Sequence, residues 1–253
     1  MPKHLIARLE DVSLSFGSKL VLHHCSLDVV EDAITCVIGL SGAGKSTILR
    51  LLNGLRKPDS GRVYVHDIDI ATLSPRELIE FRRSIGFSFQ FAALFDSLSI
   101  FENVALPLRE HTKLSESEIQ HQVTSALENV GLAGVEDRLP AELSGGMIKR
   151  AGFARAIITS PELVLYDEPT TGLDPIITHL LTETIVHLRQ RLKGTAVVVS
   201  HDLESIYHMG DYVAMLFEGA VIAYGTVGEL RKSENPIVQQ FLQGSEVGPI
   251  PVG

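Results

Sequence analysis

The 253-residue sequence has no tryptophan and only two cysteines, Cys25 and Cys36. Two thiols exclude a disulfide scaffold and a cysteine-based zinc cluster, and they fit a reducing compartment. Cys36 falls in an apolar stretch and reads as core. No run approaches the ~18 apolar residues needed to cross a bilayer, and residues 1–10 lack the long apolar stretch of a signal peptide. A membrane role is therefore expected to work through a partner. Positive charge is also short: 22 Lys and Arg stand against 31 Asp and Glu, a net charge of −9. General nucleic-acid binding needs a basic face and is not expected. His23–His24 reads as an incidental surface pair rather than a metal site. What is present is a chain 45% hydrophobic and 21% charged. That is an ordinary globular balance, with enough apolar material for a core in one domain or two tightly joined lobes.

The pattern along the chain alternates. Ile6–Phe16 and Val21–Val30 read as strands, and Ala33–Ile38 as a buried strand. A glycine-rich stretch, 39–44, follows, and from Lys45 the apolar positions Ile48, Leu51, Leu52 and Leu55 take helical spacing. Residues 61–90 return to strand character around a helical interruption at Pro75–Arg83, and about 91–160 reads as mainly helical. There Ser115 and Glu118 have capping-box spacing, and Ile119, Val123, Ala126, Leu127 and Val130 form one stripe that Gly131 stops. "ELVLYDEP" and "TAVVVS" are buried strands, Asp174–Pro175 suits a helix start, and Glu218–Gly219 turns a hairpin. The tail 244–253 is rich in Gly and Pro and is expected to be irregular. The class is α/β: a mostly parallel sheet, an N-terminal antiparallel β layer and a helical insertion.

"GLSGAGKS", Gly39–Ser46, fits G-x-x-x-x-G-K-[ST] between a strand and a helix. Glycines let the backbone of Gly39, Leu40, Ser41, Gly42, Ala43 and Gly44 curl so that successive N–H groups face phosphate oxygens. The helix behind adds its positive end. Lys45 reaches the β- and γ-phosphates, the Ser46 hydroxyl ligates Mg²⁺, and Thr47 adds a hydroxyl toward the α-phosphate. ATP or GTP binding follows.

Asp167 and Glu168 end the strand "LVLYD", at the sheet edge expected to carry the phosphate loop. Asp167 can hold Mg²⁺, and Glu168 can polarise the attacking water. His201 follows the strand "TAVVVS", where it either orients that water at the γ-phosphate or merely opens a helix with Ser200 and Asp202. Gln90, at the end of "IGFSFQ", reads from spacing alone as a turn residue, although an amide there can touch Mg²⁺ or water. "LSGGM", 143–147, taken by itself, is a helix capped by Ser144 and entered through flexible glycines.

Together these segments resemble the ABC-transporter nucleotide-binding domain. "GLSGAGKST" matches Walker A, Gln90 the Q-loop, "LSGGM" the signature, "LVLYDE" Walker B, "TGLD" (Thr171 to Asp174) the D-loop and His201 the switch histidine, in order from about Leu5 to Leu230. The resemblance implies the P-loop NTPase fold of ABC ATPases: one ABC ATPase domain over 1–243, with a RecA-like core at about 1–90 and 160–243 and a helical subdomain at about 91–159. It implies that Phe16 stacks on adenine and that Gln90 contacts Mg²⁺ or the attacking water. It also implies a head-to-tail dimer, in which Ser144, Gly145 and Gly146 bind the γ-phosphate of ATP held mainly by the partner. The single Walker A requires a second copy or another ATPase subunit, and the intact site favours a homodimer.

"FQFAALFDSLSIFENVALPLREH", "LSGGMIKRAGFARAI" and "DEPTTGLDPI" further resemble the ATPase subunit of Mla-type, MCE-associated lipid transporters. Met147, where many ABC proteins have Gln, marks that subfamily. The resemblance implies ATP-driven phospholipid transport between the inner and outer membranes of a double-membraned bacterium. It places the chain peripherally on the cytoplasmic side of the inner membrane, beneath a permease dimer that docks near Phe91–Pro107. An MCE substrate-binding protein and a small STAS-domain protein are the other implied partners. The alternatives are an ABC transporter for another solute, or a soluble ABC ATPase outside transport.

Overall fold

Alternating burial makes the first two strands of the computed structural model, which describes residues 4–251, a single long hairpin. β1 (Leu5–Phe16) and β2 (Lys19–Val30) pair antiparallel from Leu5↔Val30 to Phe16↔Lys19. Gly17, at φ 60, takes the tight turn between them. β3 (Ile34–Gly39) is buried at all six positions, as a strand covered on both faces must be. α1 (Lys45–Leu52) then buries Ile48, Leu49, Leu51 and Leu52. β4 (Ser60–Val65) and the two-residue β5 (Ile68–Asp69) complete an antiparallel sheet in the order β2-β1-β4-β5. This is the antiparallel layer expected from the sequence.

The chain packs as two units, residues 1–73 with 197–253, and residues 74–196. The second unit begins with α2 (Pro75–Arg82), fixed by a reciprocal Ser74–Glu77 capping box. β6 (Ile85–Ser88) pairs parallel with β7 (Leu163–Asp167), from Ile85↔Leu163 to Ser88↔Tyr166. Between them lie α3 (Ile100–His111), α4 (Glu116–Asn129) and α5 (Gly145–Ile157). The expected Ser115–Glu118 capping box and the apolar stripe of α4 are both present. After β7 come α6 (Pro175–Leu192), capped by Asp174, and β8 (Thr195–Val199), which carries the chain back to the first unit.

Two expectations need correction here. The strand expected to end at Gln90 stops at Ser88, and helix does not begin at 91 but at Ile100. Residues 89–99 form turns instead. Ala92 and Ala93 have φ of 58 and 49, which no α-helix accommodates. The Arg155 guanidinium donates to both of their carbonyls, at 2.5 Å and 2.8 Å. Asn103 is fully buried. Its carbonyl oxygen accepts from Phe95 N–H at 2.7 Å, and its NH₂ donates to the carbonyls of Phe95, Leu98 and Ser99 at 3.0–3.1 Å. These side chains satisfy the backbone groups that a helix would otherwise pair.

In the first unit again, α7 (Leu203–Met209) leads to β9 (Tyr212–Phe217) and β10 (Ala220–Thr226), which meet at the Glu218–Gly219 turn. β9 runs parallel to β3, Thr35↔Tyr212 to Gly39↔Leu216, giving the order β10-β9-β3. Cys25 and Cys36 are buried free thiols, and burial pushes them up to about 11 and about 12. α8 (Val227–Arg231) and α9 (Pro236–Gln243) end the regular structure. Past Gly244 the described chain has neither helix nor strand, and the last two residues of the expected tail, 252 and 253, lie outside the described residues. The buried Gln240 amide holds this stretch, accepting from Ile250 N–H at 2.6 Å and donating to the Ile250 and Ser245 carbonyls. Among the described residues no helix is long and apolar enough to cross a membrane.

Candidate functional site

Gly39 ends β3 at φ 146, and a Cβ there would lie 2.1 Å from the Leu216 carbonyl oxygen on the neighbouring β9. Gly44, at φ 105, is the N-cap of α1, and its Cβ would meet the Leu22 side chain at 2.9 Å. Both are glycine because of conformation and space. With glycine as N-cap, α1 has no side-chain cap, and the amides at a helix start favour an anion. Lys45 is buried at 7% exposure, and its ammonium donates to the Gly39 and Leu40 carbonyls at 2.9 Å and 3.0 Å. The cation is thereby bent over the loop that carries the amides. Ser46 and Thr47 occupy the first turn of α1, Thr47 buried. Leu40 and Ser41 are exposed at the loop's crown, Gly42 has φ 78, and Ala43 N–H closes the turn onto the Leu40 carbonyl at 3.2 Å.

His201 belongs to the same unit. Its neighbour Ser200 donates N–H to the Val37 carbonyl at 3.3 Å, so the exit of β8 lies at the end of β3 that opens into the phosphate loop. Asp202, not His201, caps α7, accepting from the Glu204 and Ser205 amides. His201 itself is exposed. Phe16 ends β1 and is about a third exposed, with the Arg56 guanidinium 5.1 Å from its ring centroid.

The second unit carries Gln90, Ser144, Gly145, Gly146, Asp167 and Glu168. Asp167 closes β7 at 7% exposure. Glu168 follows with φ 48, a left-handed conformation that strains a residue with a Cβ. Its carboxylate accepts from the Thr171 hydroxyl at 2.8 Å. Lys149, from α5, donates to the Thr171 carbonyl at 2.7 Å and lies 3.4 Å from the Glu168 carbonyl. Burial lowers the Lys149 ammonium from its ordinary range, and the Glu168 charge opposes that shift. Gln90 sits half-buried in the turn two residues past β6.

Ser144 caps α5 by accepting from Met147 N–H at 3.4 Å, which leaves its own hydroxyl proton for another acceptor. Met147 takes part through its backbone amide. The two glycines behind Ser144 differ. A Cβ on Gly146 would strike Ile177 Cγ2 of α6 at 2.7 Å, so packing requires that glycine. A Cβ on exposed Gly145 would come no closer than 3.9 Å to Leu173, and its φ is not positive. Neither backbone nor packing within the chain calls for glycine there.

A groove of ≈ 370 Å³ in the second unit is lined by Phe87, Phe89, Phe95, Leu106, Pro107 and Arg155, among others. Phe91 stands next to it in sequence and is 82% exposed. Sequence reasoning missed Lys149, Asn103 and Arg155, and it placed Thr171 in the D-loop without its contact to Glu168. A signal exists for Lys149, which sits four residues after Gly145 and so on the same helical face. None exists for the contacts it makes about twenty residues away.

A family model described as "ABC transporter" matches residues 22–171. The chain is 41% identical over 250 residues to the intermembrane phospholipid transport system ATP-binding protein MlaF of Haemophilus influenzae, covering 99% of this chain and 94% of that one. It is 39% identical over 250 residues to a probable ribonucleotide transport ATP-binding protein, mkl, of Mycobacterium leprae, covering 99% and 72%. Among solved structures it resembles the dimeric post-hydrolysis state of the ATP-binding cassette MJ0796 bound to ADP and Pi. The TM-score is 0.81 at 30% identity, over 87% of this chain and 98% of that one.

Proposed function

The chain belongs to the ABC transporter family as an ATP-hydrolysing subunit, and from that premise we propose that two copies close head to tail on two ATP molecules to drive phospholipid transport between membranes. In each chain the amides of Gly39, Leu40, Ser41, Gly42, Ala43 and Gly44 receive phosphate oxygens, and Lys45 turns from the loop carbonyls to the β- and γ-phosphates. Phe16 stacks on the adenine. The Ser46 hydroxyl, the Asp167 carboxylate and the Gln90 amide are all oxygen donors, the set that suits Mg²⁺. When bound, Mg²⁺ neutralises charge on the phosphates. Glu168 accepts a proton from the water whose oxygen bonds to the γ-phosphorus, while the bond to the ADP oxygen breaks. His201 orients that water at the γ-phosphate. Ser144, Gly145 and Gly146 complete the partner's site at the start of α5.

The single observation that carries the dimer is Gly145, a glycine that its own chain does not need. Close approach by a group from outside the chain accounts for it. The RecA-like parts at about 1–90 and 160–243 hold the nucleotide, and the helical part at about 91–159 meets the permease. The groove beside Phe89, Phe91 and Phe95 is the docking surface, since three exposed phenylalanines together mark an interaction site. The chain then sits peripherally at the cytoplasmic face of the inner membrane, with an MCE protein and a STAS-domain protein as further members of the assembly.

The phospholipid cargo rests on similarity to the Haemophilus influenzae protein over nearly the full length of both chains. The complex purified from its native membrane should carry a phospholipid and release it on ATP turnover, as read by mass spectrometry of the extracted ligand. A bound nucleotide-like solute in place of lipid would favour the function named for the mycobacterial relative.

A further inference from the structure

The geometry points to Lys149 as a positioning residue that ties the start of α5 to the catalytic carboxylate Glu168, and so links the two ATP sites of the dimer. Three observations within the second unit carry this. The Lys149 ammonium donates to the Thr171 carbonyl at 2.7 Å and reaches the Glu168 carbonyl at 3.4 Å. Glu168 is held at φ 48, where a residue with a Cβ stays only if its surroundings hold it. The Thr171 hydroxyl donates to the Glu168 carboxylate at 2.8 Å. One lysine therefore grips the two ends of the short turn from Glu168 to Thr171, and the turn's own threonine orients the carboxylate.

The origin of the lysine matters as much as its target. Lys149 stands one helical turn from Gly145, on the helix whose start serves the partner's ATP under the reading above. Glu168 serves the ATP of its own chain. A displacement of α5 caused by γ-phosphate arriving or leaving in one site pulls on the turn that aims the base in the other. The strut also explains why a half-buried ammonium is kept here: its hydrogen-bonding partners are carbonyls that need a donor. This inference rests on the head-to-tail reading and on Glu168 as the base.

The test uses the full-length protein in the assembled transporter. Lys149→Met keeps the side chain's length and apolar stem and removes both hydrogen bonds. Turnover should fall about 10- to 100-fold, as misplacement of a reacting group does. The KM for ATP should be unchanged, and the Hill coefficient for ATP should drop toward 1. Lys149→Arg, which can still reach both carbonyls, should restore most of the rate. Thr171→Val should lower turnover without lowering cooperativity, because the α5 connection through the Thr171 carbonyl survives. The deciding measurement is the double variant Lys149→Met with Glu168→Gln. If Lys149 works through Glu168, adding Lys149→Met to Glu168→Gln costs little further rate. A full additional loss, or Lys149→Met with wild-type turnover and Hill coefficient, overturns the proposal. A loss of Tm and of active protein, with normal turnover per active site, overturns it as well, because that is a structural role only. Failure of the underlying reading looks different: Glu168→Gln alone would then turn over near normally instead of falling by the ~10²–10⁴ expected of a lost general base.

Discussion

Gly145 and Gly146 are adjacent and chemically identical, yet the fold treats them as opposites. Gly146 faces α6, and an added methyl would press into Ile177 Cγ2 at 2.7 Å. Overpacking of this kind costs about 1–3 kcal/mol, so Gly146→Ala should lower the denaturant midpoint by a corresponding amount. Gly145→Ala adds its methyl to open space at the first residue of α5, where neither a positive φ nor a close contact penalises it. That variant should be as stable as the parent or slightly more so, and should still bind ATP. Under the proposed head-to-tail arrangement it should lose hydrolysis, because the methyl would stand where the partner's γ-phosphate approaches. Denaturant titration beside steady-state turnover checks both halves. Equal stability loss in the two variants would remove the argument that Gly145 is kept for a partner. At this scale the sequence was legible wherever chemistry is written into consecutive residues. Gly39–Thr47 runs from the end of β3 through the loop into the first turn of α1, and its spacing alone suggests which amides, ammonium and hydroxyl would face a phosphate. Lys149 was illegible for the converse reason. Its partners, Glu168 and Thr171, lie 19 and 22 residues on, and only packing brings them to it.

Among the elements, several with their own start and stop signals were read in advance. The capping box at Ser115–Glu118, the Asp174–Pro175 start and the Glu218–Gly219 turn are local devices, and each is found in the structure; the helix expected at Pro75–Arg83 is present as well, and its Ser74–Glu77 box emerges only there. The segment 89–99 lacks such a device, and the sequence pattern suggests strand to Gln90 and helix from 91. Its conformation is imposed from outside by Asn103 on α3 and Arg155 on α5. α8 and α9 were not anticipated, although Thr226–Glu229 and Asn235–Pro236 are start signals of the same kind. The dependence of 89–99 on a remote amide leads to a specific expectation. Asn103→Leu keeps the volume and leaves the Phe95 N–H and the Leu98 carbonyl without their partner, while the Ser99 and Phe95 carbonyls keep the Asn103 and Leu98 amides. Each such buried group costs about 1–3 kcal/mol where water cannot replace the bond. A net loss on the order of 3 kcal/mol is expected, since the one at the exposed Phe95 can turn to solvent. Amide hydrogen exchange should show lost protection at Phe95. Core strand β7 should exchange as before once the lower global stability is allowed for. Unchanged exchange at 95 would mean that the loop holds itself.

Over the whole molecule, the net charge of −9 bears on how two copies meet. Like net charge opposes close approach of identical chains, and bound ATP adds more negative charge to the interface. Closure must then come from short-range contacts, of which the positive ends of α1 and α5 and the Lys45 ammonium are the local sources of positive potential. Long-range repulsion is screened by salt, with a Debye length of ~8 Å at 0.15 M and ~30 Å at 0.01 M. Contacts made directly to phosphate in a dry interface are screened far less. The closed dimer of the Glu168→Gln protein with ATP should therefore tighten as ionic strength rises from about 0.01 M to 0.15 M, over which the Debye length shrinks. ATP binding to the single chain works against it, because Lys45 and the loop amides attract phosphate charge and salt weakens that attraction. The two trends separate cleanly if ATP is held well above saturation at every salt concentration. Light scattering under those conditions should show the dimer fraction growing with salt. A dimer that loosens steadily with salt at saturating ATP would show that complementary surface charges outside the nucleotide sites hold the two chains.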